Sequence, residues 1–322
     1  MRILCLQLKR IGDAILTAPA LAALREAHPL AHITLVLHGP SGQLASAFSS
    51  VDEVLVYKPG RPNIKLWGRV VSGGWTACYD FTGTDRSALM ARMSRAAHVF
   101  GYRKFAEKRP WRVHGYTQLC DASVRELHTV DFFRALTGLP AVDDTGFDVP
   151  HKRKAKVDGL PEGEFLLVHP GSARTEKLWP ADRWAEVIRH VDLPVVFTGS
   201  ADPDEQAHLA EIRKLLPAGK IVDLSGKLSL LQLATVISRA KAVVSVDSAA
   251  MHLAAVEQRP QVALFGPTNP FHWRPRHEAA RVVFAGGDDF ELTPRHAAAP
   301  MSELSTERVV AAIDSVLQAT PA

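Results

Sequence analysis

The sequence is poor in the features that mark secreted, membrane-spanning and metal-binding proteins. It has three cysteines in 322 residues, and Cys5, Cys78 and Cys120 are odd in number and widely spaced. This spacing is typical of reduced thiols in a cytoplasmic protein rather than of disulfides or a metal site. No window approaches 18 uninterrupted apolar residues, so no transmembrane helix is expected. The opening MRILCLQL runs directly into KRIGD, which is not typical of a signal peptide.

Short apolar runs alternate with helical patterns along most of the chain. Hydrophobic residues make up 47% of the sequence, which is enough to fill the cores of two domains. In the first half, the predicted strands are RILCLQL, HITLVLH, EVLVYK and CYDFTG. In the second half they are FLLVHPG, PVVFTG, IVDLSG, AVVSVDS and QVALFGPT. Strands that alternate with helices indicate an α/β fold with parallel, doubly wound sheets.

The helical patterns and one irregular stretch predict the domain organisation. Residues 140–163 are dominated by Pro, Gly and charge, so we expect a linker between domains at 1–150 and 151–322. Pro19 is tolerated best near a helix start, so residues 12–17 are expected to form a turn before a helix. The pattern from Thr117 to Gly138 predicts one further helix. The C-terminal MSELSTERVVAAIDSVLQA predicts an amphipathic helix, for which packing back on the first domain is one option.

The charge is only +4 overall, but basic residues cluster in the first half of the chain. One group, set against the single acid Glu107, comprises Arg92, Arg95, Arg103, Lys104, Lys108, Arg109 and Arg112. A smaller group comprises Lys58, Arg61 and Lys65. Two interpretations stay open: an ordinary solvated surface, or a face for an anionic partner such as a phosphorylated lipid or a sugar acid. Aromatic residues typical of RNA binding do not accompany these bases, so no nucleic-acid partner is expected.

In open parallel sheets, ligands bind at the carboxyl ends of the strands, so the residues that follow each strand are the candidates for a binding site. After the first strand, KRIGDAIL places Asp13 where a helix begins. Asp13 is either an N-cap or a carboxylate that acts as a general base. Backbone donors and the helix dipole are expected to keep this carboxylate ionised.

Two junctions of the second half contain residues suited to a phosphorylated ligand. HPGSARTEKLWP combines small residues, including Ser172, with Lys177, and so indicates a phosphate cradle that is not a Walker loop. Lys177 read alone is equally an ordinary surface lysine. Glu205 follows PVVFTG at a helix start, where it either complements the helix dipole or binds a ribose hydroxyl.

A third junction in the second half, VVSVDSAAMH, brings Asp247, Ser248 and His252 to the same sheet edge. N-capping by Asp247 or Ser248 explains this junction without a ligand. Taken together, however, the junctions favour a nucleotide diphosphate, with its phosphates bound at helix starts and its ribose held by a carboxylate.

These segments, with YDFTGTDRSALMAR and VALFGPTNP, resemble the ADP-heptose:lipopolysaccharide heptosyltransferases of glycosyltransferase family 9, in order over nearly the whole chain. The resemblance implies a GT-B architecture, in which two Rossmann-like domains face a central cleft. It implies an acceptor-binding first domain, a second domain that binds the nucleotide sugar, and inverting transfer of heptose from ADP-heptose to the lipopolysaccharide inner core. It also implies that no cofactor or catalytic metal is needed.

The resemblance also implies individual roles. Asp13 matches the proposed general base of the family. The positions that match donor-binding residues are Ser172, Lys177, Glu205, Asp247, Ser248, Ala249 and His252. Ala249 stands where the family usually has glycine, so a methyl group is added where a phosphate approaches. Because the family's acceptors are anionic glycolipids that carry Kdo sugar acids, we expect acceptor contacts from Arg61, Lys65, Arg103 and Lys104.

Two other classes of function stay open. One is a GT-B sugar-nucleotide epimerase or hydrolase, which needs no acceptor. The other is a binding protein that holds a nucleotide sugar or glycolipid without turnover. The expected location is the cytoplasm, with peripheral contact to the inner face of the inner membrane through the acceptor.

Overall fold

The structure is a computed structural model that describes residues 1–149, 157–287, 292–295 and 298–319. The chain divides into two compact units, Met1–Pro150 and His151–Ala322. Part of the expected linker, residues 150–156, lies outside the described residues. Within the described ranges, no helix is both long and apolar enough to cross a bilayer.

The first unit is built on a six-stranded parallel sheet. Its strands are β1 (Arg2–Gln7), β2 (His32–His38), β3 (Glu53–Tyr57), β4 (Ala77–Asp80), β5 (His98–Tyr102) and β6 (Gln118–Cys120). Their spatial order is β3-β2-β1-β4-β5-β6. The chain therefore starts in the middle of the sheet and builds outward in both directions from β1 and β4. The edge beyond these two strands is the switch point where such sheets bind ligands.

The second unit repeats this topology. Its strands are β7 (Leu166–His169), β8 (Val195–Phe197), β9 (Ile221–Asp223), β10 (Ala242–Val246), β11 (Gln261–Phe265) and β12 (Ala280–Phe284). Their order is β12-β11-β10-β7-β8-β9, which read in reverse is the order of the first sheet. In this unit β7 and β10 lie side by side in the middle, with Val244 paired to Val168. The predicted α/β fold with two doubly wound, Rossmann-like domains is confirmed.

Helices cover the sheet of the first unit on two sides. They are α1 (Ile11–Ala27), α2 (Ile64–Ser72), α3 (Asp85–Met93), α4 (Arg103–Ala106), α5 (Pro110–Val113) and α6 (Thr129–Thr137). Right-handed crossovers that run in opposite directions from the middle strands put α1 and α3 on opposite faces. Accordingly α1 packs against α6, while α3 packs between α2 and α5.

Six α-helices belong to the described part of the second unit. They are α7 (Ala181–His190), α8 (Pro203–Lys214), α9 (Leu230–Arg239), α10 (Ala249–Val256), α11 (Pro270–Trp273) and α12 (Thr306–Gln318). The C-terminal helix, α12, packs against α7, β11 and β12 of its own unit, and it buries Val309, Ile313 and Val316. Its expected return to the first domain stays a prediction.

Two expectations about local structure are wrong. Pro19 lies inside α1, which runs without a break from Ile11, although proline removes one backbone hydrogen bond. Burial of ten residues of this helix, from Ala14 to Leu24, offsets that loss. The expected helix from Thr117 instead begins at Thr129, because Gln118–Cys120 pairs with β5 as the edge strand β6. The strands β5, β6 and β12 were not predicted.

Candidate functional site

Asp13 lies at the switch point of the first unit, in the first turn of α1. The N-cap of α1 is Arg10, which has no capping side chain, so Asp13 is the third helical residue rather than the N-cap. Its carboxylate accepts hydrogen bonds from the backbone N–H groups of Arg10 and of Asp13 itself. The side chain is partly exposed, so this carboxylate holds the helix start and still faces solvent.

Burial raises the pKa of Asp13 above its usual value. The ammonium of Lys9, the two backbone hydrogen bonds and the guanidinium of Arg10 oppose this effect but do not cancel it. The backbone donors at the helix start favour the ionised form of Asp13, as expected, but burial has the larger effect on its pKa. A carboxylate with a raised pKa accepts a proton more readily, as a general base requires.

Lys9 is a charged neighbour of Asp13 that sequence analysis did not select. Its ammonium lies 5.3 Å from the ring centroid of Phe105 and 5.5 Å from that of Phe133. Burial lowers the pKa of Lys9, the carboxylates of Asp13 and Asp80 raise it, and Lys108 lowers it further. The signal for Lys9 was its position four residues before Asp13, which places both groups at one helix start.

The loop that carries Lys9 is fixed by the end of β4. Thr82 Oγ1 accepts a hydrogen bond from the Leu8 N–H at 2.7 Å. Asp80 Oδ1 accepts the N–H groups of Thr82 and Gly83 at 2.9 and 3.0 Å, and its Oδ2 accepts from the Tyr116 hydroxyl at 2.7 Å. Burial raises the pKa of Asp80. The segment YDFTG thus holds the loop next to Asp13.

The four basic residues expected at the acceptor do not lie together. Arg61 and Lys65 follow β3, whereas Arg103 and Lys104 follow β5. These strands are four positions apart in the sheet, which separates them by about 19 Å. Arg103 donates to Asp121 at 2.5 Å and lies 3.9 Å from Glu107. All four side chains are exposed.

In the second unit, Lys177 and Asp247 form an ion pair at the switch point. Lys177 lies in a short 3-10 turn, Thr175–Lys177, after β7, and Asp247 directly follows the neighbouring strand β10. Lys177 Nζ donates to Asp247 Oδ2 at 2.6 Å and approaches its backbone oxygen at 3.3 Å. Thr268 Oγ1 also donates to Asp247 Oδ2, at 2.8 Å. Asp247 therefore fixes the position of the lysine that was expected to meet a phosphate.

His252 completes this group from the first turns of α10. Its Nε2 lies 3.9 Å from Asp247 Oδ1, and the side chain is almost fully buried. Burial lowers the pKa of His252 to about 4, against the attraction of Asp247 and with a smaller contribution from Lys177. The imidazole is therefore neutral near pH 7, with one nitrogen as donor and the other as acceptor.

Ser248 is the N-cap residue of α10, but its side chain does not cap the helix. Its Oγ is buried and has no hydrogen-bond partner among the described residues. N-capping by the Asp247 or Ser248 side chain, the alternative that needs no ligand, is not found in the structure. A buried hydroxyl without a partner at a helix start is available to donate to a phosphate oxygen. Ala249 is the first residue of this helix and is partly exposed.

Glu205 and Ser172 hold the loops of their junctions. Glu205 is buried in the first turn of α8, and its two oxygens accept the N–H and the hydroxyl of Ser200, each at 2.6 Å. A Cβ atom on Gly171 would lie 1.9 Å from Glu205 Oε1, so the glycine allows the two loops to meet. Ser172 Oγ accepts the Arg174 N–H at 3.3 Å. The expected ribose contact of Glu205 and phosphate contact of Ser172 stay predictions.

Two further polar residues near this edge were missed in the sequence. Thr268, in GPTNP, binds Asp247 from the segment after β11. His169 ends β7, and its Nδ1 lies 3.0 Å from Thr198 Oγ1. Burial lowers the pKa of His169. Both lie after or at the end of a strand, which was the available signal in the sequence.

Among the described residues, no three or more His, Cys, Asp or Glu side chains are grouped to hold a metal ion.

Known proteins resemble most of this chain. The family model described as Glycosyltransferase family 9 (heptosyltransferase) matches residues 63–293. Lipopolysaccharide heptosyltransferase 3 of Escherichia coli K12 is 25% identical over 95% of each chain. Lipopolysaccharide heptosyltransferase 1 of Pseudomonas aeruginosa is 26% identical, over 84% of this chain and 80% of its own.

A solved structure shows the same fold. E. coli ADP-heptose lps heptosyltransferase II superposes with a TM-score of 0.79 at 21% identity, over 99% of both chains. Both units therefore have the α/β architecture of the GT-B enzymes.

Proposed function

Because the chain belongs to glycosyltransferase family 9, the heptosyltransferase family, and is a glycosyltransferase, we propose that it transfers heptose from ADP-heptose to the inner core of lipopolysaccharide. Relatives matched over most of the chain are named lipopolysaccharide heptosyltransferases. A heptosyltransferase from E. coli with a TM-score of 0.78 was solved with ADP. These names support the donor and the class of acceptor.

The main support for this proposal is the position and the raised pKa of Asp13. A sugar hydroxyl becomes a good nucleophile when a positioned base takes its proton in the transition state. Asp13 is partly exposed, lies at a switch point and has a raised pKa. In the proposed mechanism, Asp13 accepts the proton of the acceptor hydroxyl, which attacks the anomeric carbon of heptose from the side opposite the diphosphate. The anomeric configuration is then inverted.

The second unit is proposed to bind the donor diphosphate. The unpartnered Ser248 Oγ and the free N–H groups at the start of α10 are donors for phosphate oxygens. Lys177, held by Asp247, supplies a positive charge beside them. As the bond to the sugar breaks, these groups stabilise the charge that develops on the departing ADP. Glu205 is proposed to lie near the ribose.

The proposed acceptor is an anionic glycolipid that bears Kdo. Arg61 and Lys65 are exposed at one end of the first sheet, and Lys104 is exposed towards the other. Arg103, which is paired with Asp121 and Glu107, is the least available of the four. Such an acceptor places the enzyme at the inner face of the inner membrane.

Transfer is tested with purified protein, ADP-heptose and a Kdo-lipid acceptor, with the product identified by mass spectrometry. We expect a product heavier by one heptose and an equal amount of ADP. A parallel reaction without acceptor separates the alternatives, because an epimerase or hydrolase consumes the donor there. Donor that stabilises the protein against heat without turnover in either reaction would instead identify a binding protein.

A further inference from the structure

The first unit carries an unusual share of exposed apolar side chains on three neighbouring helices. Eight large hydrophobic residues are exposed in the described part of the chain. Four of them lie on α2, α3 and α5, which are only nine, nine and four residues long. Their exposed fractions are 75% for Ile64, 43% for Leu89, and 38% each for Met93 and Trp111. Single exposed apolar residues are ordinary, whereas a cluster indicates a contact surface.

The middle helix shows that this surface is organised. Arg86, Leu89 and Met93 are exposed at helical spacings of three and four residues, which puts them on one side of α3. The opposite side of α3 buries Ala88 and Met90. This stripe lies on a helix that packs beside both α2 and α5, which carry the other two exposed apolar residues.

The same surface is strongly basic. Exposed bases on or next to the three helices are Lys65, Arg86, Arg92, Lys108 and Arg109. None of these bases forms an ion pair with a residue that the structure describes. Two acids nearby have basic partners: Asp85 pairs with the buried Arg112 at 2.7 Å, and Glu107 lies 3.9 Å from Arg103, which also pairs with Asp121. The outer surface of α2, α3 and α5 therefore combines apolar side chains with unpaired positive charge.

We propose that the outer surface of α2, α3 and α5 docks onto an anionic lipid bilayer. Apolar side chains enter the headgroup region, Trp111 is suited to the boundary between water and lipid, and the bases meet lipid phosphates. A second copy of this chain fits less well, because a two-fold contact would bring the basic surface against itself. The inference extends the proposed function, since it names the face that brings the enzyme to a lipid-linked acceptor.

The proposal is tested by sedimentation of the full chain with phosphatidylcholine vesicles, with and without phosphatidylglycerol. No sugar donor or acceptor is present, so the result does not depend on transfer. We expect binding to the phosphatidylglycerol vesicles alone, and weaker binding as salt is raised. The double variant Leu89→Ser/Met93→Ser should bind several-fold more weakly. Arg92→Gln should weaken binding about fivefold, the usual effect of one base at an anionic surface.

The matched control is Leu30→Ser. Leu30 is 98% exposed in the turn between α1 and β2, away from the three helices, so this variant should bind vesicles like the unchanged protein. Circular dichroism and melting temperature check that every variant folds.

Three results would overturn the proposal. They are no binding to phosphatidylglycerol vesicles, equal binding by Leu89→Ser/Met93→Ser, or a dimer in solution that this variant dissociates, which would make the surface an interface between copies. If the protein transfers heptose but does not bind vesicles, the proposed function is supported and the docking surface is rejected. If it binds vesicles but transfers no heptose, the docking surface is supported and the proposed function is rejected.

Discussion

In the second unit, the ammonium of Lys177 lies 2.6 Å from the carboxylate of Asp247, whereas the lysine at the corresponding place in the first unit, Lys9, lies over two aromatic rings. Both lysines follow the first strand of their unit, and Asp80 and Asp247 both stand at the end of the fourth. Asp80 binds backbone N–H groups and Tyr116 instead of the lysine.

This difference leaves the two units with different chemistry at the same topological position. In the first unit, a partly buried carboxylate, Asp13, has a raised pKa and no ion pair among the described residues. In the second unit, the acid is used to orient a lysine beside an unpartnered hydroxyl, Ser248. One arrangement suits acceptance of a proton and the other suits the binding of an anion.

The largest expected effect comes from removal of the proton acceptor. Asp13→Asn keeps the shape of the side chain and removes its basicity, so kcat for transfer should fall by roughly 10²- to 10⁴-fold. Donor binding, measured by calorimetry with ADP-heptose, should stay within twofold because the donor is assigned to the other unit. As a control, Glu26→Gln changes an exposed acid at the far end of α1 and should retain transfer. Full activity of Asp13→Asn would show that the first unit does not supply the proton acceptor.

The next effect tests the pairing in the second unit. Lys177→Met leaves the buried carboxylate of Asp247 without its partner, which should lower the free energy of unfolding by about 3 kcal/mol. Asp247→Asn should cost a similar amount, and the double variant less than the sum, as urea unfolding will show. Additive losses would mean that the two side chains do not interact in solution. The surface variant Lys214→Met serves as the control and should change stability little.

The lowered pKa of His252 should make the free energy of unfolding depend on pH. Its pKa in the folded protein is about 4, below its usual value, because burial disfavours the charged form. The unfolded chain therefore binds a proton that the folded chain does not, and stability falls as the pH drops from about 6.5 towards 4. The loss is on the order of 2 kcal/mol at pH 5. His252→Asn should lose less stability between pH 7 and pH 5 than the unchanged protein, and an identical loss would contradict the assignment.

The smallest effect concerns the lysine of the first unit. The ammonium of Lys9 partly opposes the raised pKa of Asp13, so Lys9→Met should raise that pKa further. Activity, which needs ionised Asp13, should then begin to fall at a higher pH on the acid side of the profile of kcat against pH. Lys9→Arg keeps the charge and should restore the original profile. A uniform loss at every pH would indicate a purely structural role for Lys9.

The sequence predicted the architecture well because alternation of strands and helices is a local pattern. HVFGY in β5 and QLC in β6 escaped detection because these strands are short and partly exposed. TQLC also comes shortly before the segment that forms α6, from which DASVRELH separates it, and only its pairing with β5 makes it a strand. The strand with which a segment pairs lies elsewhere in the sequence, so short strands of this kind cannot be predicted from their own residues alone.

The same limit applies to the candidate site. The position of each polar residue at a strand end was evident in the sequence, as for Asp13 and Asp247. The link between Lys177 and Asp247 was not, because it spans 70 residues and depends on β7 lying next to β10. Nor could the sequence give the raised pKa of Asp13, which results from burial by surrounding residues. Arg103 was selected as an acceptor contact because of its charge. The sequence did not show that it pairs with Asp121, which lies 18 residues further along the chain.

A crystal structure with ADP-heptose and a Kdo-bearing acceptor tests the division of labour between the units most directly. We expect the diphosphate at the start of α10, within hydrogen-bond distance of Ser248 Oγ, and the reacting acceptor hydroxyl at about 2.6–3.2 Å from the carboxylate of Asp13. A bound acceptor whose hydroxyl faces a different base, with Asp13 turned to bulk solvent, would contradict it.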